Sequence, residues 1–296
     1  MLDRTAAAHT RSLVVLRKAV NVSRNTVILT AAATVSLYLA TGALAQKPKM
    51  SNVDLCNGKN VAATSQIAGC SAIIKASGDN PAVLAIAHNN RGNAFSATGD
   101  YELAITDYDE SIKQNPTYAK PFNNRGVAYQ KKGQYDRAME DFNAAINIDP
   151  NYADAFANRG ETHQLQGDYA DAVKDFTEAI RLKPDTAVVW SERCWARAIV
   201  GELQSALADC NQAIKLEPNA ASFDSRGLTH LKLGELDAAV ADYNFALQRN
   251  PKMASAQYGR GLARLKKGDR AGGSADIKAA KTLDKNIASE FASFGL

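Results

Sequence analysis

The chain has 296 residues, 46% hydrophobic and 22% charged, with 35 basic against 31 acidic side chains and a formal net charge of +4. Ample apolar content with only 19 Gly and 8 Pro argues against disorder, and a single stretch near membrane length argues against a polytopic membrane protein. The basic excess leaves a nucleic-acid or anionic-membrane partner open until the charges are located.

They lie at the start. Residues 1–25 carry Arg4, Arg11, Arg17, Lys18 and Arg24 against one acid, Asp3. Thr26 to Leu44 then holds no charge, and Ala43-Leu44-Ala45 offers the small-x-small pattern of a cleavage site. Basic, apolar, small is the order of a secretory signal over 1–45, cleaved after Ala45. Left uncleaved, the same stretch is an inner-membrane anchor with the rest of the chain facing the periplasm. Removing the five basic residues and the one acid leaves 30 of each sign, a formal charge of zero. Nucleic-acid binding needs a concentrated positive surface, and Lys131-Lys132 and Lys266-Lys267 are only local pairs at helix ends.

Residues 46–84 form a leading partial hairpin with one cysteine pair, Cys56 and Cys70, around a polar turn. From residue 85 onward a frame recurs. Prolines fall at 116, 150, 184, 218 and 251, in steps of 34, 34, 34 and 33. Asn90-Arg91-Gly92, Asn124-Arg125-Gly126 and Asn158-Arg159-Gly160 open three units, with variants at Arg193-Cys194, Arg226-Gly227 and Arg260-Gly261. Seven residues past each triplet stands a glycine: Gly99, Gly133, Gly167, Gly201, Gly234, Gly268. A small residue follows (Ala104, Ala138, Ala172, Ala206, Ala239, Gly273), and four further on usually an aromatic (Tyr108, Phe142, Phe176, Tyr243).

This period and these landmarks resemble the tetratricopeptide repeat over 85–285, six units. One departure is that Arg replaces the family's usual leucine before the first glycine in all six copies. The resemblance implies an all-α fold, a right-handed superhelical solenoid of antiparallel helix hairpins, with residues 286–296 as a terminal cap. The mid-repeat glycine ends the first helix of each unit in a left-handed conformation, and the proline marks the boundary to the next.

Two pairings follow from a hairpin whose turn lies midway, because positions sixteen apart then face one another. Each Arg meets an Asp: Arg91/Asp107, Arg125/Asp141, Arg159/Asp175, Arg193/Asp209, Arg226/Asp242 and Arg260/Asp276. Cys194 and Cys210 share that spacing and stand where repeat four should have its first glycine and its aromatic. Structural disulfides at 56–70 and 194–210 suit an exported chain. Zinc is the rival reading, though no C-x-x-C pair or nearby His supports it, and free thiols are the third.

Catalytic chemistry is hard to find. A triplet repeated six times is unlike a single active site, His9, His88, His163 and His230 are scattered, and neither Ser nor Cys has a His/Asp partner by spacing. The reading is no enzyme, no cofactor, no metal and no small-molecule substrate. What the family's fold implies is a groove lined by the first helix of each unit. By register, repeats one to three present Asn89, Asn93, Lys120, Asn123, Gln130, Lys131, Asn158, Glu161 and Gln164 there. Repeats four to six present Trp195, Ile199, Leu228, Leu231, Leu262 and Leu265. Asn89, Asn93, Lys120, Asn123, Gln130, Asn158 and Trp195 are thus the candidate partner-binding residues, with amides suited to a peptide main chain. The basic set with which some family members grip a C-terminal carboxylate is interrupted by Asn89 and Asp154. The expected function is a periplasmic or secreted scaffold binding a polypeptide. The alternatives are a cell-wall glycan-binding module or an accessory subunit of an envelope enzyme.

Overall fold

The computed structural model describes residues 50–58 and 60–296. The signal peptide expected over 1–45, and with it the question of cleavage or anchoring, lies outside the described residues.

Among these residues the chain is helical throughout, with no strand. A leading hairpin of α1 (Asn52–Asn57) and α2 (Ala63–Ala76) precedes six longer ones. These are α3 (Pro81–Thr98) with α4 (Tyr101–Gln114), α5 (Ala119–Lys131) with α6 (Tyr135–Ile148), and α7 (Ala153–Gln166) with α8 (Tyr169–Leu182). The series continues with α9 (Ala187–Val200) and α10 (Leu203–Leu216), α11 (Ala220–Leu233) and α12 (Leu236–Arg249), and α13 (Ala254–Lys266) and α14 (Arg270–Leu283). A short α15 (Ile287–Ser293) ends the chain. No helix among the described residues is long and apolar enough to cross a membrane.

The local signals explain the boundaries. Ser51, Asn80 and Asn219 cap α1, α3 and α11 by accepting a backbone N–H, and Pro81 occupies the first turn of α3, where no amide donor is needed. All six mid-repeat glycines take positive φ, from 72° at Gly133 to 91° at Gly201, which lets each first helix stop and the chain reverse within two or three residues.

Within each hairpin the glycine of the opening triplet lets the second helix close in. A Cβ on Gly126 would lie 2.7 Å from the Phe142 ring, and one on Gly160 would lie 2.9 Å from Phe176. The rings that use this space, Tyr108, Phe142, Phe176 and Tyr243, are at most 1% exposed. Each contributes roughly 1.5–3 kcal/mol of burial. In repeat four the space is filled by the Cys194–Cys210 disulfide, with Cα atoms 5.4 Å apart; Cys56–Cys70 ties α1 to α2 at 4.6 Å.

All six Arg–Asp pairs form, each bidentate, as in Arg193 Nε and Nη2 donating to Asp209 at 2.8 Å. Each guanidinium does a second job. Its remaining nitrogen reaches back to the second helix of the preceding hairpin: Arg91 to Ser71, Arg125 to Asp109, Arg159 to Asn143, Arg193 to Thr177, Arg226 to Asn211 and Arg260 to Asn244. The Arg that departs from the family's leucine therefore joins three helices at once. A planar fork with five donors can do this; an apolar side chain at the same position could only fill space.

Candidate partner-binding face

The first helices α3, α5, α7, α9, α11 and α13 share one face, and the structure divides the residues expected there into two kinds. Asn89, Asn123 and Gln130 are 2%, 5% and 5% exposed. They stitch neighbouring repeats together. Asn90 donates to Asn57, Asn89 donates to Asn90, and Asn124 donates to Asn89 at 3.0 Å and to Asn93 at 2.9 Å. Asn123 donates to Asn124, Asn158 donates to Asn123 at 2.9 Å, and Gln130 donates to Thr162. Buried amides must find partners, and here they find them in the adjoining asparagine and in polar side chains one repeat away. Asn93 and Lys120 are exposed and Asn158 is half-buried, so these remain on the open part of the face.

The apolar half is not an open groove. Leu228 and Leu231 are core residues, 0% and 1% exposed, because that face of α11 turns into its own hairpin and its neighbours. Trp195, Ile199 and Leu262 are covered by the C-terminal segment. The expected cap at 286–296 does more than shield an end: Ile287, Phe291 and Phe294 are buried in one cluster with Trp195, Ile199, Leu228, Tyr258 and Leu262. Phe294 stands edge-on to both Tyr169 and Trp195, with ring centroids 5.9 Å away in each case. Lys232 Nζ donates to the carbonyls of Phe294 at 2.9 Å and Ile199 at 3.2 Å, and burial pushes its pKa down. Leu265, at 36% exposed, remains outside.

Beside this segment lies a group of acids that the sequence reading did not single out. Asp224 of α11 is 5% exposed, and burial pushes its pKa up to about 7. Its Oδ2 accepts from Ser255 Oγ at 2.6 Å, whereas Oδ1 has no donor among the described residues. Burial also raises Glu192 of α9, whose Oε2 accepts from Gln164 Nε2 at 2.8 Å. Glu290 of α15 is raised by burial and then by the charge of Asp284. A signal for them exists in the repeat register: Asp224 occupies the place of Asn89 and Asn123, and Glu192 that of Asn90, Asn124 and Asn158. The three described histidines adjoin the ion pairs, with His88 Nδ1 2.8 Å from Asp107, His163 Nε2 3.8 Å from Asp175 and His230 Nε2 3.6 Å from Asp242.

Stacked helix hairpins with glycine-aromatic contacts at a 34-residue period define a helical repeat solenoid. Family models described as TPR repeat match residues 92–133, 131–167 and 227–268, and one described as tetratricopeptide repeat matches 153–186. The chain belongs to the tetratricopeptide-repeat family. The unmatched stretch between 186 and 227 is the repeat in which the disulfide replaces glycine and aromatic. No curated protein matches the sequence. Among solved structures the chain is similar to the APC/C hetero-tetramer Cut9-Hcn1, at 15% identity and a TM-score of 0.64 over 81% of this chain and 50% of that one. It thus spans half the length of that protein. It is also similar to a tetratricopeptide repeat protein from Parabacteroides merdae, at 18% identity and TM-score 0.58 over 79% and 93% of the two chains. Pseudomonas aeruginosa pilF matches at 18% and 0.59 over 72% and 98%. At such identities the likeness shows the fold.

Proposed function

We propose that the chain is a non-catalytic scaffold, exported to the bacterial periplasm, that binds a polypeptide partner along the face shared by its first helices. The observation that carries this reading is α15. A short peptide segment already sits on that face, seated through Phe291, Phe294 and Leu296 with Lys232 holding a main-chain carbonyl. An intramolecular segment on this face supports a polypeptide as its occupant, and repeats one to three, where no segment of the described chain covers it, offer Asn93, Lys120 and Asn158. Export is supported by the N-terminal sequence and by two disulfides, which persist in oxidising compartments.

Placing a photo-crosslinking residue at Asn93, Lys120 or Asn158 in the full chain, expressed in its native cells, tests the reading. Discrete polypeptide adducts are expected at those sites and not at the exposed Lys174 on α8. Adducts equally strong at Lys174, or none at the three face positions, overturn it.

A further inference from the structure

The acids near α15 surround an open cavity of about 260 Å3, lined by Gln164, Glu192, Trp195, Asp224, Ser255 and Glu290 among others. Four first helices and the C-terminal helix contribute to it. Its chemistry is one-sided. Two acceptor atoms are buried there with no donor among the described residues, Asp224 Oδ1 and Gln164 Oε1. Three carboxylates line it, and no Lys or Arg does so among the described residues. A buried acceptor left unmatched is costly, and a group that brings donors and positive charge would satisfy a cavity of this composition.

We infer that this cavity is a binding site for an organic cation, a guanidinium or primary ammonium group on an alkyl stem. Asp224 Oδ1 and Glu192 receive the N–H donors, and Gln164 Oε1 takes another. The Trp195 ring supplies an aromatic surface of the kind that attracts such groups. A metal ion fits less well, since among the described residues no three His, Cys, Asp or Glu side chains converge closely enough to hold one. The volume suits a group with its methylenes, given that a water occupies about 30 Å3. Glu290 belongs to α15, so a bound cation and a docked C-terminal segment support one another. Both a basic side chain of a polypeptide and a free polyamine-like molecule carry this chemistry, and the site does not depend on the polypeptide reading above.

Calorimetric titration of the full chain at pH 8 with two probes decides the matter. One is agmatine; the other is a blocked Gly-Gly-Arg-Gly-Gly peptide, compared with its citrulline counterpart, which keeps the shape and loses the charge. Saturable binding of at least one cationic probe is expected, with the citrulline peptide at least tenfold weaker than the arginine peptide wherever the latter binds. Asp224→Asn and Glu192→Gln should each weaken binding at least tenfold while circular dichroism stays that of the parent, and Glu290→Gln should weaken it by less. Tighter binding of the peptide assigns the site to a partner's side chain, and tighter binding of agmatine assigns it to a free amine; either supports the cavity. No saturable binding of either probe, an equally strong citrulline peptide, or affinity unchanged in Asp224→Asn overturns the inference.

Discussion

Phe294 meets Trp195 edge to face, with planes at 88° and centroids 5.9 Å apart, although 99 positions separate them in the chain. The contact folds the C-terminal segment over repeats four to six, so that the apolar part of the first-helix face is occupied from within. An intramolecular occupant competes at the effective concentration its connection sets, commonly millimolar for a short one. A partner seeking this half must displace α15, whereas one seeking Asn93 and Lys120 need not.

Replacing Phe294 with Ala should free α15 without unfolding the solenoid. Phe291 and Ile287 remain, so the loss is expected near the lower end of the roughly 3–5 kcal/mol typical of buried aromatics cut to Ala. Hydrogen exchange across 287–296 should accelerate strongly while α5 to α8 stay protected. In a Trp190→Phe background, Trp195 emission should shift to the red. Unchanged exchange in α15 would show that Phe294 does not hold it.

Arg193 is the most buried of the six guanidiniums, with 9% of its side chain exposed against 4% for Asp209. Arg193→Ala strands that carboxylate with Arg197 alone and removes the link to Thr177. A loss of about 3 kcal/mol is expected, with little rescue by Lys, which lacks the fork. Lys174→Ala, at the exposed pair with Asp171, should leave the denaturation midpoint where it was. Urea titrations of the three variants make the comparison.

The Cys194–Cys210 bridge closes a sixteen-residue separation and is worth about 3 kcal/mol in the chain-entropy account. A Cys194→Ser, Cys210→Ser variant should lose about that much. Cys194→Gly with Cys210→Phe restores the pair found in repeats two and three, and should recover much of the loss while making that repeat indifferent to reductant. Thermal melting ranks the two variants directly, and dithiothreitol, which can no longer act on this repeat in either, should cost both less than it costs the parent. A Gly/Phe variant no better than Ser/Ser would mean that the hairpin needs the covalent bond.

Asp224 predicts the pH dependence. Its folded pKa of about 7 lies above the ordinary carboxylate value, so between roughly pH 4 and 7 the folded chain holds a proton that the unfolded chain has lost. Stability therefore falls as pH rises through that window, by up to about 4 kcal/mol, and levels off above it. Glu192 and Glu290, the other carboxylates on the cavity, are shifted the same way and add to the trend. Asp224→Asn should be as stable as the parent near pH 4 and more stable at pH 8, measured by chemical denaturation without added ligand. A variant less stable at both pH values would refute this account.

Whatever depends on separations within one repeat was legible in the order of residues alone. The left-handed glycines, the closing prolines, the six Arg–Asp pairs, the glycine–aromatic contacts and the Cys194–Cys210 bridge all follow from positions sixteen or fewer apart, where a hairpin's turn dictates what faces what. Relations between repeats were decided only by the stack. Asn89 and Asn93 look alike as letters, yet packing turned Asn89 inward and left Asn93 exposed. The second reach of each Arg, to the preceding hairpin, was likewise invisible without the neighbour in place. Most remote from the sequence was α15. Residues 286–296 read as a terminal cap, but Phe294 packs on Tyr169 and Trp195, 125 and 99 positions away, and a contact at that range is settled only once the hairpins are stacked, beyond the reach of any spacing within one repeat.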